Sequence, residues 1–542
     1  MSRARLNVRA TLLLGAILVL AAALRFWALG HGLPFVMARP DEVETLRHTV
    51  GFPQGDMNPR WFVYPNLFFW IIWLWEELCL GVRRIVADVP SYSTLLESDM
   101  PTLILQGRVL IALLGVATVG LVHRFGRREG GAALGLVAAL LLATCFLHVR
   151  DSHALKADVP LAFGVLVSLW TLARYRDEPT VARAVIAGAA IGITTALKYP
   201  GVILLLTAWH TVPSHGSGWQ RLLPARSFVW LALVATLVFL AGCPYLLIDR
   251  ELLVTTFTFS VKAVYWMRPH LAPREGAPLA DQIAAFLATR TFAYHLHTSL
   301  RYGCGIAMAL ATPFALALAF RRGTPAFPRL AASFVVVYWA VIGWSQVPLT
   351  RYWTPTTPLL ALLVGRLVLA IAGAVPAGLV RQAVTLGLVA LLVAEPLAAN
   401  IAHNRIAARE DTRVEATAWM AAHLPPGAVV ARLGSSYFPI ADPALPPGVR
   451  AAELELGETD LDRHGVTHVV THEHPLHFSR PNPTQMHVLQ PRLRLLAEFS
   501  PFTGAPTGGF EPDDAYYVPF HDFGGVVRPG PIVRVYALTP PS

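Results

Sequence analysis

The sequence predicts a polytopic α-helical membrane protein of about eleven transmembrane helices, ending in a small α/β or α+β domain outside the membrane. Three observations lead there. Of 542 residues 54% are hydrophobic and only 14% charged, whereas soluble globular proteins carry about 25% charged residues. Mean hydropathy is +0.50. The apolar residues gather in runs of about 20, the length needed to cross the hydrocarbon of a bilayer, and beyond Asn400 they give way to Pro/Gly turns. Four cysteines and no repeated glycine period exclude a disulfide-rich secreted scaffold and collagen.

The candidate spans are 11–29, 101–122, 131–148, 155–173, 181–197, 199–213, 227–248, 304–320, 329–345, 355–373 and 382–399. The first resembles a signal peptide, with Arg3, Arg5 and Arg9 before an apolar run and Ala21-Ala22-Ala23 near its end. Its apolar stretch continues through Phe26-Trp27 and more spans follow, so it reads as an uncleaved helix. A cytoplasmic N-terminus then places Arg124, Arg127, Arg128, Arg174, Arg176, Arg183, Arg221, Arg226, Arg321, Arg322, Arg329 and Arg381 in cytoplasmic loops. That arrangement obeys the positive-inside rule, in a chain of the cytoplasmic (inner) membrane. The formal charge of +10 is therefore a topology signal and not a nucleic-acid footprint.

The run Trp61–Leu80 is almost long enough to span, but spanning would move the Arg124–Arg128 cluster outside. It reads instead as a helix in the interface, anchored by its Trp and Tyr residues and by Glu76-Glu77. Residues 1–400 thus form the membrane domain, with outer loops at about 30–100 and 249–303. Residues 401–542 form the outer domain, with a helix at Thr412–His423 stopped by Leu424-Pro425-Pro426-Gly427. Short β-like runs at Ala428–Ala431, Val466–Val470 and Ile532–Leu538 follow.

Charge at membrane depth is costly and marks function by default, and here it gathers in five outer turns. Arg39-Pro40-Asp41-Glu42 follows the first span, and Arg150-Asp151-Ser152-His153 with Lys156 and Asp158 lies between the third and fourth. Lys198-Tyr199-Pro200-Gly201 separates the fifth and sixth, Asp249-Arg250 follows the seventh, and Arg351-Tyr352 precedes the tenth. Any one of these alone reads as a snorkelling cation or a capping carboxylate. Their convergence at one depth suits a reaction on a lipid-linked phosphate: a carboxylate takes a proton from an attacking hydroxyl, and Arg or Lys holds the departing phosphate.

The ARPDE stretch (Ala38–Glu42) resembles the acidic first-loop motif of the protein O-mannosyltransferase and aminoarabinose transferase group, the bacterial type of the GT-C class that is glycosyltransferase family 39-like. RDSHALKADVP (Arg150–Pro160), TALKYPG (Thr195–Gly201), CPYLLID (Cys243–Asp249) and RYWTPTTPLL (Arg351–Leu360) are similar to that group's later landmarks, in the same order. The tail resembles bacterial members through Asp411–Ala428 and Arg528–Leu538. The resemblance implies transfer of a sugar from a polyprenyl-phosphate donor to a lipid, glycan or protein acceptor outside the cytoplasmic membrane. It implies Asp41 as general base, with Glu42 orienting it or binding acceptor or sugar. Asp151 and Asp158 form a second acidic site, and Lys198, Arg351 and Tyr352 hold the donor phosphate. Lys156 and Arg150 are further phosphate candidates, with Arg108 and Lys262 behind them. No cofactor is firmly implied and a divalent cation stays open. No MIR-type sugar-binding repeat is evident, so neither a protein acceptor nor an aminoarabinose donor follows.

His464, His468, His472, His474 and His477 form a run that reads as a strand followed by a polar loop. Residues four apart on a strand share a face, but too far apart for one zinc ion. His295 and His297 read as solvent-facing or hydrogen-bonded core residues. Cys243 and Cys304 both fall near the expected outer face, which leaves a disulfide between them open. The alternative function is a transporter or flippase of a lipid-linked or small polar substrate. That class places ionisable groups near the bilayer midplane and repeats one half in the other, neither of which this sequence does. A non-enzymatic assembly or sensor protein would leave the five charged turns unexplained.

Overall fold

The computed structural model describes residues 3–211, 226–256, 258, 278, 290–434, 440–455 and 457–540. Lys262 and much of the expected second outer loop lie outside the described residues. The chain divides into two compact units. The first comprises Met1–Phe26, Glu44–Asp99 and Gln106–Asn400, and the second Trp27–Val43, Met100–Leu105 and Ile401–Ser542.

Each of the eleven expected apolar runs falls on helix. Among the described residues, five helices are long and apolar enough to cross a membrane: Val8–Phe26, Met100–Thr144, Ala326–Gly343, Thr350–Gly373 and Leu379–His423. A sixth span arises if the pair Phe292–Cys304 and Ile306–Ala319, bent by 116°, counts as one. Val181–Leu197, Tyr199–Trp209 and Phe228–Gly242 are apolar but shorter. Pro244 accounts for part of the shortfall, because the helix Arg226–Gly242 stops just before it, short of the expected end at 248. The Trp61–Leu80 run folds as the helix Asn66–Arg84, which is not among the five.

The 45-residue Met100–Thr144 element is two helices back to back. Gly130 and Gly131 leave helical geometry between them, with Gly131 at φ 81°, a conformation that favours glycine. The helices Asp158–Asp177 and Val181–Leu197 are likewise joined by a connection of three residues, so they run antiparallel. They pack closely enough for Ser168 Oγ to lie 2.9 Å from Thr194 Oγ1. The start of the first helix and the end of the second therefore come to the same level. At the bent pair, the backbone N–H of Ile306 donates to Glu395 Oε2 at 2.7 Å, so a carboxylate caps the helix that begins after the bend.

Within the second unit, five strands form a mixed sheet: β1 (Val429–Leu433), β2 (Arg450–Ala451), β3 (His468–Glu473), β4 (Leu493–Phe499) and β5 (Ile532–Leu538), in the order β2-β1-β3-β5-β4. β1 pairs in parallel with β2 and β3, while β5 runs antiparallel to β3 and β4. Val469 and Val470 point to opposite faces of β3 and join different cores. One core holds Ala416 and Met420 of the helix Thr412–His423, and the other Leu461 and Leu489. A central strand covered on both faces explains why Val469, Val470, Thr471 and His472 are all buried, without alternation. Asp411 caps the helix, accepting from the Arg413 N–H at 2.9 Å.

Candidate active site

The candidate residues divide between the two units. In the first unit, the chain leaves helix at Cys145 and resumes as the short helix Phe146–Asp151. The break frees carbonyls at the end of the preceding helix, and Arg25 meets them. Its fully buried guanidinium donates to Leu142 O at 3.2 Å and to Ala143 O at 3.1 Å, and lies 3.0 Å from His148 Nδ1. A charge in the last turn of the first span thus fixes the segment that carries Arg150 and Asp151. Nothing in the sequence distinguished Arg25 from a snorkelling arginine.

Arg150 and Asp151 form a closed arrangement. Asp151 Oδ1 accepts from Arg150 Nε at 2.9 Å and Nη2 at 2.8 Å, and Asp151 Oδ2 accepts from the Thr354 hydroxyl. Arg150 Nη1 also donates to Thr350 Oγ1 at 2.9 Å. Thr350 and Thr354 belong to the 3-10 segment Thr350–Thr356, which also carries Arg351 and Tyr352. The ion pair therefore ties one charged turn to another.

Lys198 sits where Val181–Leu197 ends, in extended geometry. The turn after it folds back hard: Gly201 N–H donates to Lys198 O at 2.9 Å, and a Cβ at Gly201 would lie 2.7 Å from Thr195 N. The glycine of TALKYPG is thus required by close backbone approach. Lys198 Nζ donates to Asp158 Oδ1 at 2.5 Å, while Asp158 Oδ2 has no hydrogen-bond partner. The ammonium lies over the rings of Tyr64, at 5.7 Å, and Tyr352, at 5.8 Å. The charges of Arg351 and Lys156 reach Lys198 and oppose its own. Lys156, Asp158 and Lys198 are all buried, and Arg351 and Tyr352 are half-buried. Lysine and arginine side chains gathered at one dehydrated turn suit the binding of a phosphate. Tyr64 was expected only as one of the Trp and Tyr anchors of the run Trp61–Leu80, with no sequence signal for this role.

Elsewhere in the first unit, Asp249 Oδ2 accepts from Asn58 Nδ2 at 3.2 Å, and Arg108 is buried. His295 is a core histidine bonded to Ser299 Oγ at 3.0 Å. No disulfide joins Cys243 and Cys304: the Cys304 sulfur lies 3.8 Å from that of Cys145, and all four cysteines are free thiols. Cys243 packs instead with Phe62, Ala196 and Leu246.

Asp41 and Glu42 belong to the second unit. Pro40 opens the helix Pro40–Arg47 and the two carboxylates occupy its first turn, where the fixed φ of proline and the positive helix end favour them. Glu42 is buried and Asp41 is half-exposed. Asp41 Oδ2 accepts from the Tyr516 hydroxyl at 3.4 Å, and Arg39 lies over the Tyr516 ring at 5.5 Å.

The histidine run is dispersed over separate partners. His464 pairs with Glu458 at 2.9 Å, His468 Nδ1 lies 2.9 Å from Thr467 Oγ1, and His472 Nδ1 lies 3.1 Å from Ser479 Oγ. His474 Nδ1 accepts from Leu476 N–H at 3.2 Å, with its ring against Phe502 and Phe510. Burial pushes His474 down to about 3, and nearby Arg413 adds to the effect. Burial also lowers His472, with Asp442 opposing and Arg413 assisting. Among the described residues no three His, Cys, Asp or Glu side chains come together as a metal site.

Residues 102–248 match the family described as dolichyl-phosphate-mannose-protein mannosyltransferase. That segment holds Asp151, Asp158 and Lys198. No curated protein matches the sequence. Among solved structures, ArnT from Cupriavidus metallidurans bound to undecaprenyl phosphate superposes with a TM-score of 0.51 at 15% identity, over 100% of both chains. The Archaeoglobus fulgidus oligosaccharyltransferase in the apo form superposes with a TM-score of 0.54 at 10% identity, over 98% of this chain and 88% of that one. At such identities the likeness is one of fold. It agrees with the resemblance drawn from the ordered motifs, to membrane glycosyltransferases of the GT-C class.

Proposed function

We propose that this chain moves a sugar from a polyprenyl-phosphate donor to an acceptor hydroxyl on the outer side of the cytoplasmic membrane. The observation that carries the reading is the buried Lys198–Asp158 pair, whose ammonium lies over the Tyr352 ring and feels the charges of Arg351 and Lys156. Cations gathered at one set of helix ends suit an anionic group such as a carrier phosphate.

In this reading the acceptor oxygen attacks the anomeric carbon of the donor sugar. Its proton passes to Asp41, the bond between that carbon and the carrier phosphate oxygen breaks, and the phosphate departs with the electron pair. Lys198 and Arg351 stabilise the charge that develops on it, beside Tyr352. Lys156 adds to the field, and Asp158 fixes the Lys198 ammonium. Glu42, in the same helical turn as Asp41, orients it. Asp151 and Arg150 hold the segment that presents Arg351.

The deciding experiment uses purified protein in vesicles, with a labelled polyprenyl-phosphate sugar and cell-envelope acceptors. Asp41→Asn keeps the shape of the side chain and removes its basicity. It is expected to lower transfer by at least about 100-fold while membrane insertion stays intact. Turnover close to that of the unmodified protein removes Asp41 from the role of base. Mass spectrometry of envelope glycans, with and without the protein, identifies the sugar and the acceptor.

A further inference from the structure

The second unit holds a contact between parts of the chain that the sequence keeps far apart. Its segment Glu511–Val518, in the connection from β4 to β5, places two successive tyrosines in left-handed backbone geometry. Tyr516 has φ 46° and Tyr517 has φ 65°. Bulky side chains rarely adopt this conformation, and strained geometry of this kind is held where surrounding contacts over-determine it. Those contacts are specific here.

The Tyr517 ring packs against His474 and lies under the Arg413 guanidinium, 4.7 Å from its centre. Arg413 is fully buried, donates to Asp411 Oδ1 at 2.8 Å and Oδ2 at 2.6 Å, and lies 4.6 Å from the centre of the Phe35 ring. Tyr516, only 9% exposed, is covered by Arg39 and directs its hydroxyl to Asp41 Oδ2. The C-terminal chain thus grips the first loop at two points, Phe35 and Asp41, on either side of the Ala38-Arg39-Pro40 turn.

We infer that Tyr516 is a positioning residue for Asp41: its hydroxyl, fixed by the strained turn and by Arg39, holds the carboxylate in the orientation from which it takes the acceptor proton. This rests on the reading of Asp41 as the base. A hydroxyl donating to a carboxylate favours the charged form, which is the form that accepts a proton. It also removes rotational freedom that would otherwise be lost on the way to the transition state. The C-terminal chain is then part of the catalytic apparatus and not only an appended domain. A purely structural role would instead be served by the ring, which packs with Ile440, Ala441, Leu476 and Ala515.

Tyr516→Phe separates the two, since it keeps the ring and deletes the donor. The full-length protein in vesicles, with the labelled polyprenyl-phosphate sugar, should lose about tenfold in kcat, with donor KM within about twofold and an unchanged unfolding midpoint. Tyr517→Phe, whose hydroxyl is not aimed at Asp41, should leave kcat unchanged. Replacing Tyr516 with 3-fluorotyrosine, which keeps shape and donor, should hold kcat within about twofold of the unmodified protein. It also serves if the Phe variant is poorly folded, because a loss of activity with the donor still in place overturns the inference. An undiminished kcat in a well-folded Tyr516→Phe overturns it as well. Asp41→Asn in the same assay tells the two failures apart. If it is inactive while Tyr516→Phe is fully active, only the positioning role falls. If it turns over normally, the reading of Asp41 falls and the inference with it.

Discussion

Two buried ion pairs stand in the first unit, both supplied by the stretch Arg150–Pro160, and they are put to opposite uses. In Arg150–Asp151 both carboxylate oxygens accept hydrogen bonds, and the arginine reaches on to Thr350. In Lys198–Asp158 one carboxylate oxygen has no partner, and Arg351 and Lys156 add repulsion. The first pair is complete and fastens two turns together. The second leaves a carboxylate oxygen unbonded and sits among further cations. A carboxylate beside a cation is therefore a poor guide to function until the remaining valences are counted.

That contrast predicts different failures. The largest effect should come from Lys198→Ala and Arg351→Ala, each raising donor KM by about 10- to 100-fold. Direct measurement of carrier-phosphate binding checks this, and unchanged binding in both variants would show that the pocket does not hold the phosphate. Asp151→Asn should do the reverse. It leaves Arg150 buried without its counter-charge, at a cost of about 3–5 kcal/mol, read as a lower unfolding midpoint in detergent. A stable but inactive Asp151→Asn would move Asp151 from the clasp into the chemistry.

A third kind of buried titratable group sharpens the comparison by having no counter-charge at all. His474 in the second unit is buried neutral, with its pKa held down to about 3. Unfolded, it titrates near the ordinary value of about 6.5. The unfolded state therefore binds more protons between these limits. Stability should be complete above about pH 6.5 and fall below it, by at most about 1.4 kcal/mol per pH unit from this group. His472 is shifted in the same direction. Unfolding followed between pH 7 and 4 in His474→Phe checks this: the variant should lose less on acidification than the unmodified chain, and equal losses would assign the sensitivity elsewhere.

The candidate site was legible in unequal parts. Lys198, Asp158 and Arg351 stood out because charge is scarce in an apolar chain, so each charged turn is conspicuous. Asp41 stood out through its place just after the first span. Arg25, Tyr64, Thr350 and Tyr516 did not stand out, because a hydroxyl, a ring or a helix-end arginine is ordinary in composition. Their roles come from partners 117 to 475 residues away. The run of five histidines misleads in the opposite way: it is conspicuous in sequence, yet the fold gives each described member its own partner.

The sequence by itself determined the helical membrane class, the breaks between the apolar runs and the ordered motifs, because these follow from local hydropathy and from backbone rules at Gly and Pro. Span lengths were less secure, since Pro244 ends a helix that hydropathy alone would extend. Only the tertiary structure decided which charges pair with which. It also decided that Cys304 faces Cys145, and that a strained tyrosine pair reaches the first loop. Each of these depends on distances between residues remote in the chain, and no local pattern encodes such distances.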